Sequence, residues 1–157
     1  MERYQYQNSS LTLQQGIEEY RAANPHLVRI EEVDRETAQF FTSHDRIHVV
    51  FGLNTSVAQE GMADLWTLMG SDVGFIRYVG YLRNPTILKI AKTAVDDFKK
   101  AGFFNEAKQF SLNLKKIYMY SRKMKRKWPW SKNEAYLNTS LKEIREDFGI
   151  QLVSQEN

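Results

Sequence analysis

Hydrophobic residues recur at helical spacing along this chain, and residues typical of helix starts and stops separate the periodic stretches. A first helix is predicted over residues 11–23, with Ser10 as its N-cap. A second is predicted to begin at Asp34 and to end at Gly52, because glycine suits the left-handed turn that follows a helix end. Ser43 either caps a fresh helix within that stretch or lies inside a continuous one, and the sequence leaves both open.

The middle of the chain carries two further start signals. Ser56 and Gln59 have the spacing of a capping box and predict a helix that reaches Met69. The apolar stretch over residues 75–82 fits either a helix or a buried extended segment. Asn84 followed by Pro85 predicts another helix, since proline is favoured at the first helical position.

The last third of the chain predicts two helices. Asn105 is the predicted cap of a long helix that ends before Trp128-Pro129-Trp130. Ser140 and Glu143 have capping-box spacing and predict a final helix over Leu141–Phe148. The whole pattern predicts an all-α fold: a single-domain helical bundle of about six to eight helices over residues 1–157.

Composition agrees with one folded domain. A chain of 157 residues with 42% hydrophobic residues buries a sizeable core and excludes a disordered class. Cysteine is absent, which excludes disulfides, thiolate zinc sites and cysteine nucleophiles. No apolar run approaches the roughly 20 residues of a bilayer span, and the first residues lack the apolar core of a signal peptide. A soluble or peripheral protein is therefore expected.

The positive charge is concentrated in one segment. The chain has 22 basic and 19 acidic residues, but residues 115–127 alone contain seven basic and no acidic ones. The rest of the chain has 15 basic against 19 acidic residues, so it is net acidic. Such a local run indicates a partner-binding surface rather than a general solubility device.

Two of the three histidines lie in one short motif, His44-Asp45-Arg46-Ile47-His48. On a helix, His44 and His48 lie one turn apart on the same side, and Asp45 falls within the same third of the circumference. A turn at residues 52–55 would also let Glu60 fold back towards His48. Imidazole nitrogens and carboxylate oxygens are the ligands that a divalent ion requires, so the motif predicts a metal site.

The same residues have a simpler interpretation. A histidine pair at i and i+4 with a neighbouring aspartate also forms hydrogen-bonded surface clusters on amphipathic helices. The motif resembles the zincin H-E-x-x-H only superficially, because position 45 is Asp and no third histidine follows. Asp64, four residues after Glu60, is either a supporting carboxylate or, as the simpler prediction, a solvent-facing acid.

The spacing resembles a known family. His44-Asp45-x-x-His48, eleven intervening residues and Glu60 are similar to the H-D-x-x-H-x11-E signature of the coenzyme Q (ubiquinone) biosynthesis protein 4 family. Residues 140–150, S-L-K-E-I-R-E-D-F-G-I, are similar to that family's closing segment. Two separated motifs in register, over about residues 24–150, make the resemblance specific.

The resemblance implies a helical fold and a divalent metal ion held by His44, Asp45, His48 and Glu60. Zinc is the expected ion, with iron, magnesium and manganese as alternatives. It also implies a role in prenylquinone biosynthesis, with a prenylated quinone precursor or isoprenoid lipid and other quinone-biosynthesis proteins as partners. The family is regarded as an organiser of a biosynthetic complex and as acting in oxidative decarboxylation at ring carbon 1. Since no transit segment is seen, a bacterial cytoplasmic protein at the inner face of a membrane is expected.

A prenyl tail requires an apolar lining and a polar anchor. The four residues predicted to line a tail tunnel are Phe75, Tyr78, Val79 and Leu82. Arg77 is the candidate for gripping a polar head group. Apolar residues at this spacing are also typical of ordinary core packing, and an exposed salt bridge is the alternative for the arginine.

A membrane-facing surface is predicted where basic and aromatic residues interleave, over residues 112–130. Its residues are Lys123, Lys125, Arg126, Lys127, Trp128 and Trp130. The alternative is an ordinary amphipathic helix with a solvated basic end. No nucleic-acid motif accompanies the charge, so nucleic acid is not an expected partner.

Three function classes follow from these patterns. The first is a metal-binding, peripheral membrane protein of prenylquinone biosynthesis that acts on a prenylated aromatic precursor. The second is a non-catalytic, lipid-binding scaffold whose metal only joins two helices. The third is a small metal-dependent hydrolase. Association into a homo-oligomer is expected for each of them.

Overall fold

The computed structural model describes residues 1–81, 83–100 and 103–153, and the side chains of residues 91, 94–100 and 103–111 are outside that description. Seven α-helices and no strand are found in these ranges, which confirms the predicted all-α fold. The helices are α1 (Leu13–Ala23), α2 (Arg35–Val50), α3 (Val57–Gly70), α4 (Phe75–Tyr81), α5 (Pro85–Lys100), α6 (Phe103–Lys123) and α7 (Leu141–Phe148). Single 3₁₀ turns lie at Arg3–Gln5, Ile30–Glu32 and Glu134–Tyr136.

Of the first two helices, α1 has a different N-cap from the predicted one and α2 has the predicted one. Thr12, not Ser10, caps α1, because its side chain forms a capping box with Gln15. Helix α2 is continuous through Ser43, which settles the alternative that the sequence left open. Asp34 caps α2 as predicted, and its carboxylate accepts two backbone N–H groups of the first turn.

The later helices give a mixed result. The predicted capping box at Ser56 is wrong, since Gln59 instead accepts the backbone N–H of Asn54 at 2.7 Å. Residues 75–81 are helical, which settles the choice between helix and extended chain. Helix α6 begins at Phe103, so Asn105 lies inside it rather than at its cap. The predicted capping box at the start of α7 and the left-handed glycine at its end, Gly149, are both confirmed.

The core contains the tryptophans of the Trp128-Pro129-Trp130 segment. Both are fully buried, so the prediction that they face a membrane is wrong. Backbone hydrogen bonds hold the segment against the end of α3, with Trp128 N–H donating to the Gly70 carbonyl at 2.8 Å. The backbone N–H of Trp130 donates to the Asp72 carboxylate at 2.7 Å. The Trp128 ring packs on α7 and the Trp130 ring on α2 and α4, so burial replaces the interfacial position that their polar tips suggested.

The basic residues beside these tryptophans are exposed but fold back onto the protein. Lys125 Nζ donates to a backbone carbonyl of α7 at 2.8 Å, and Lys127 Nζ donates to one near the end of α3. The guanidinium of Arg126 lies 4.0 Å from the ring centroid of Phe148. Three of the four predicted basic residues therefore contact α7 or the end of α3, whereas Lys123 belongs to the last turn of α6.

Gly52 makes the turn that separates α2 from α3. Its φ of 68° is left-handed, and a Cβ placed there would lie 2.8 Å from the buried Leu152 Cδ1. We expect Gly52→Ala to lower the free energy of unfolding by about 1–3 kcal/mol, through strain and overpacking. Urea denaturation measures the change. The matched control is Gly74→Ala, which has the same kind of φ in open space and should lose less. Equal losses in the two variants would contradict a role for the Leu152 contact.

Candidate metal centre

The turn at Gly52 brings α3 back alongside α2, and the two helices pack against each other. His44 and His48 lie on successive turns of α2, while Glu60 lies in the first turn of α3. One donor atom from each of these three side chains lies within 4.8 Å of the other two. The structure therefore brings together three of the four residues predicted as metal ligands.

The spacing of these donors suits a small divalent ion. His48 Nε2 and Glu60 Oε2 are 3.4 Å apart. Two ligands bonded at about 2.1 Å to a tetrahedral zinc ion are separated by about 3.4 Å. His48 is completely buried, and neither of its ring nitrogens makes a hydrogen bond to any described residue. A buried imidazole that makes no hydrogen bond is costly, and a metal ion held between His48 and Glu60 would satisfy it.

Asp45 is the predicted ligand that the structure does not bring into this group. Its carboxylate pairs with the guanidinium of Arg21 on α1. Adjacent helical residues differ by about 100° in direction, so Asp45 points towards α1 while the histidines point towards α3. Burial raises the pKa of Asp45, against the lowering effect of Arg21 and of the two histidines.

Asp64 is a second carboxylate of α3 that contacts the histidine pair. It lies one turn beyond Glu60 on α3, with Oδ1 3.5 Å from His44 Nε2. The hydroxyl of Tyr78 donates a hydrogen bond to the same carboxylate oxygen. The sequence signal was the four-residue spacing from Glu60, and both interpretations of Asp64 hold in part, since the side chain faces solvent and also contacts His44. Its side chain is half exposed and at the same time supports a candidate ligand.

The charges of the site compensate one another. Burial lowers the pKa of His44, but the nearby Asp64, Glu60 and Asp45 carboxylates outweigh it, and the net direction is upward. Burial raises the pKa of Glu60 and of Asp64. Interactions with His48 and His44 outweigh this effect, and the pKa of each carboxyl lies below its usual range. The metal-free site thus favours a protonated His44 between two carboxylates.

Protons and zinc should therefore compete at this site. The raised pKa of His44 means that the folded protein binds this proton more tightly than the unfolded chain. This stabilising contribution is fully present below the ordinary histidine pKa of about 6.5 and is lost as pH rises through the higher folded value. Zinc affinity has the opposite slope, since the ion displaces the proton, and should fall by about tenfold per pH unit below the folded pKa.

Two measurements check this prediction. Thermal unfolding is measured in chelator for the parent and for His44→Gln. The midpoint of the parent minus that of the variant should be smaller at pH 8 than at pH 6. Zinc titration with a chromophoric competitor should give tighter binding at pH 8 than at pH 6. A zinc affinity that does not change between these pH values would contradict the involvement of His44.

The residues predicted to line a lipid tunnel lie on or next to α4. Phe75 and Val79 are exposed to solvent, so they line no interior channel, and neither do they pack in the core. Tyr78 is half-buried beside Asp64, whereas Leu82 is outside the described residues. Arg77 is exposed and lines an open cleft of about 690 Å³, together with Glu36, Tyr81 and Arg83.

None of the described helices is both long and apolar enough to cross a bilayer. The chain matches no protein family, no curated protein and no solved structure in the comparisons made with it. Interpretation of the site therefore depends on its geometry and chemistry, beside the motif resemblance.

Proposed function

We propose that this protein binds a divalent metal ion and acts on a prenylated aromatic precursor in prenylquinone biosynthesis, at a membrane surface. The observation that carries the proposal is the convergence of His44, His48 and Glu60 within 4.8 Å. The buried ring of His48 supports it, because neither ring nitrogen makes a hydrogen bond to a described residue and Glu60, 3.4 Å away, would share an ion with it. The motif resemblance supplies the substrate class and the place in quinone biosynthesis.

Three protein ligands favour a reactive site over a purely structural one. Structural zinc sites are usually closed by four protein ligands, whereas catalytic ones have three and keep an open position. When bound, the ion would act as a Lewis acid on oxygen substituents of the aromatic ring. Zinc is the expected ion, with iron, magnesium and manganese as alternatives.

The protein residues around the site have distinct proposed roles. Asp64 would orient His44, and the Tyr78 hydroxyl would hold Asp64 in place through its hydrogen bond. Glu60 and Asp64 keep part of their surface exposed, so a substrate has access from their side. The reaction implied replaces the ring carboxylate with a hydroxyl group: the prenylated aromatic acid, water and dioxygen would give the phenol, carbon dioxide and hydrogen peroxide, with dioxygen taking up the two electrons.

A scaffold is the second candidate, because the donors come from two helices, and an ion would join α2 to α3. Such a protein would hold lipid and other quinone-biosynthesis proteins without turnover. Its metal ligands would affect folding and assembly only.

Elemental analysis and a turnover assay separate the two candidates. Protein purified without a metal column should contain nearly stoichiometric metal, which Glu60→Gln should lose. With metal and dioxygen, the parent should release labelled carbon dioxide from a prenylated aromatic acid labelled in its carboxyl carbon. Folded parent protein that binds none of the four offered ions would refute the proposal. Metal that raises the unfolding temperature but supports no turnover would establish the scaffold instead.

A further inference from the structure

Helix α4 exposes large apolar side chains on its outer side. Three side chains of this seven-residue helix are exposed: Phe75 by 70%, Ile76 by 88% and Val79 by 42%. Isolated exposed apolar residues are ordinary, but three of them within five positions form a patch. A patch of this kind is typical of a surface that contacts a membrane or another protein.

The chain from the patch to residue 92 is basic in sequence, although Asp72, whose carboxylate accepts the Trp130 backbone N–H, lies just before it. Residues 75–92 contain four basic residues and no acidic one, and all four are exposed: Arg77, Arg83, Lys89 and Lys92. None of the four forms an ion pair within the described part of the chain. Two carboxylates lie on neighbouring helices: Asp64 pairs with His44, and Glu36 lines the cleft beside Arg77 and Arg83 without reaching ion-pair distance of either arginine.

An anionic bilayer complements this surface better than a second copy of the chain does. Two copies joined through α4 would bring eight unpaired cations together, which is unfavourable. A bilayer offers an apolar region for the three exposed side chains and anionic head groups for the cations. Arginine and lysine also keep their charged ends in the head-group layer while their stems lie along apolar surface.

We propose that α4 is the membrane-contacting element, with Phe75, Ile76 and Val79 inserted at the head-group boundary of an anionic bilayer. The inner side of the same helix meets the metal centre, because Tyr78 donates to Asp64, which lies beside His44. A prenylated molecule leaving the bilayer at α4 would arrive next to the exposed side of Glu60 and Asp64. This delivery role rests on the proposed function, whereas the membrane contact itself is measured separately.

The location differs from the membrane surface predicted around the two tryptophans. Those rings are buried, and the basic residues beside them contact the protein's own backbone and aromatic rings. Helix α6 nevertheless exposes Leu112 and Met119, which makes it the natural comparison surface.

Vesicle flotation of the full chain tests the proposal. The probes are vesicles of phosphatidylcholine alone and of phosphatidylcholine with about one third phosphatidylglycerol. The parent should float with the anionic vesicles only, and Phe75→Ser/Ile76→Ser should weaken its partitioning by about tenfold or more. The matched control Leu112→Ser/Met119→Ser should bind like the parent. Circular dichroism and zinc content should be unchanged in both double variants.

Several results would overturn the proposal. Equal flotation of the α4 variant and the parent would exclude α4, and loss of binding in the control alone would place the membrane contact on α6. Failure of the parent to float would leave a protein partner, or a second copy if sedimentation shows an oligomer that Phe75→Ser/Ile76→Ser dissociates. Vesicle binding through α4 by a protein that binds no metal would refute the proposed function and leave the membrane contact standing.

Discussion

Arg145→Met is expected to lower the free energy of unfolding by about 4 kcal/mol or more, a large part of the 5–15 kcal/mol typical of a domain. Arg145 lies on α7 and is 1% exposed. Its guanidinium donates to the carbonyls of Tyr4 at 2.7 Å and Tyr6 at 2.5 Å in the N-terminal segment. It also donates to the carbonyls of Val49 and Val50 in the last turn of α2, each at 2.9 Å.

The strength of these bonds comes from the charge of the donor. Burial lowers the pKa of Arg145 to about 9, which still leaves the side chain charged at neutral pH. No carboxylate of the described residues pairs with it, so its compensation comes from carbonyl dipoles and the negative end of α2. Methionine would leave the Tyr4 and Val50 carbonyls without a donor, at about 1–3 kcal/mol each before relaxation, whereas the Tyr6 and Val49 carbonyls would keep a backbone N–H partner. The same bonds fix the end of the helix that carries His44 and His48.

Urea denaturation at pH 7 measures this effect. Arg145→Lys should recover only part of the loss, because a lysine has three donors on one atom and cannot reach both segments. The matched control is Arg126→Met, which removes an exposed arginine over Phe148 and should cost about 1 kcal/mol or less. If the two methionine variants have the same denaturation midpoint, Arg145 is not the link between α7, α2 and the N-terminus.

The role of Arg145 shows why local patterns predict only part of this fold. The extent of α7 follows from its capping box and its terminal glycine, and both are local signals. The partners of Arg145, by contrast, are 95 to 141 positions away in the chain. The local pattern of charged residues predicts an exposed arginine at this position. It cannot show that backbone carbonyls from distant parts of the chain surround the side chain.

The tryptophans of residues 128–130 illustrate a second limit. An indole next to lysines has the same sequence pattern whether it lies in a membrane interface or in a core. Only tertiary packing distinguishes the two positions, and contacts with α7 for Trp128 and with α2 and α4 for Trp130 place both rings inside. Conversely, the exposed apolar side of α4 carries the spacing that is typical of core residues.

At the metal centre, the sequence correctly predicts the histidine pair and Glu60, but it does not predict that Asp45 lies away from them. Helical spacing puts Asp45 near His48 on the helix circumference, yet it cannot show that Arg21 lies opposite Asp45. Glu60 reaches the site only because the turn at Gly52 reverses the chain. Asp64 comes with it, one helical turn later.

The three carboxylates can be ranked by changing each to its amide and measuring zinc affinity. Glu60→Gln should weaken binding by at least about 100-fold, since it removes a ligand, whereas loss of a supporting group costs about 10–100-fold. Asp64→Asn should weaken it by about tenfold, through the freed imidazole of His44. Asp45→Asn should change affinity by less than about threefold while lowering stability, because Arg21 loses its buried partner.

Competition with a chromophoric chelator gives the affinities, and circular dichroism confirms that each amide variant is folded. Because the three changes are isosteric, differences between them report the position of each carboxylate rather than its size. A loss at Asp45→Asn as large as at Glu60→Gln would mean that Asp45 leaves Arg21 to bind the ion, as the family motif implies. In that case metal binding would break the link between α1 and α2, and zinc would lower the protection of α1 from hydrogen exchange. If Asp45 stays with Arg21, zinc should leave that protection unchanged or increase it.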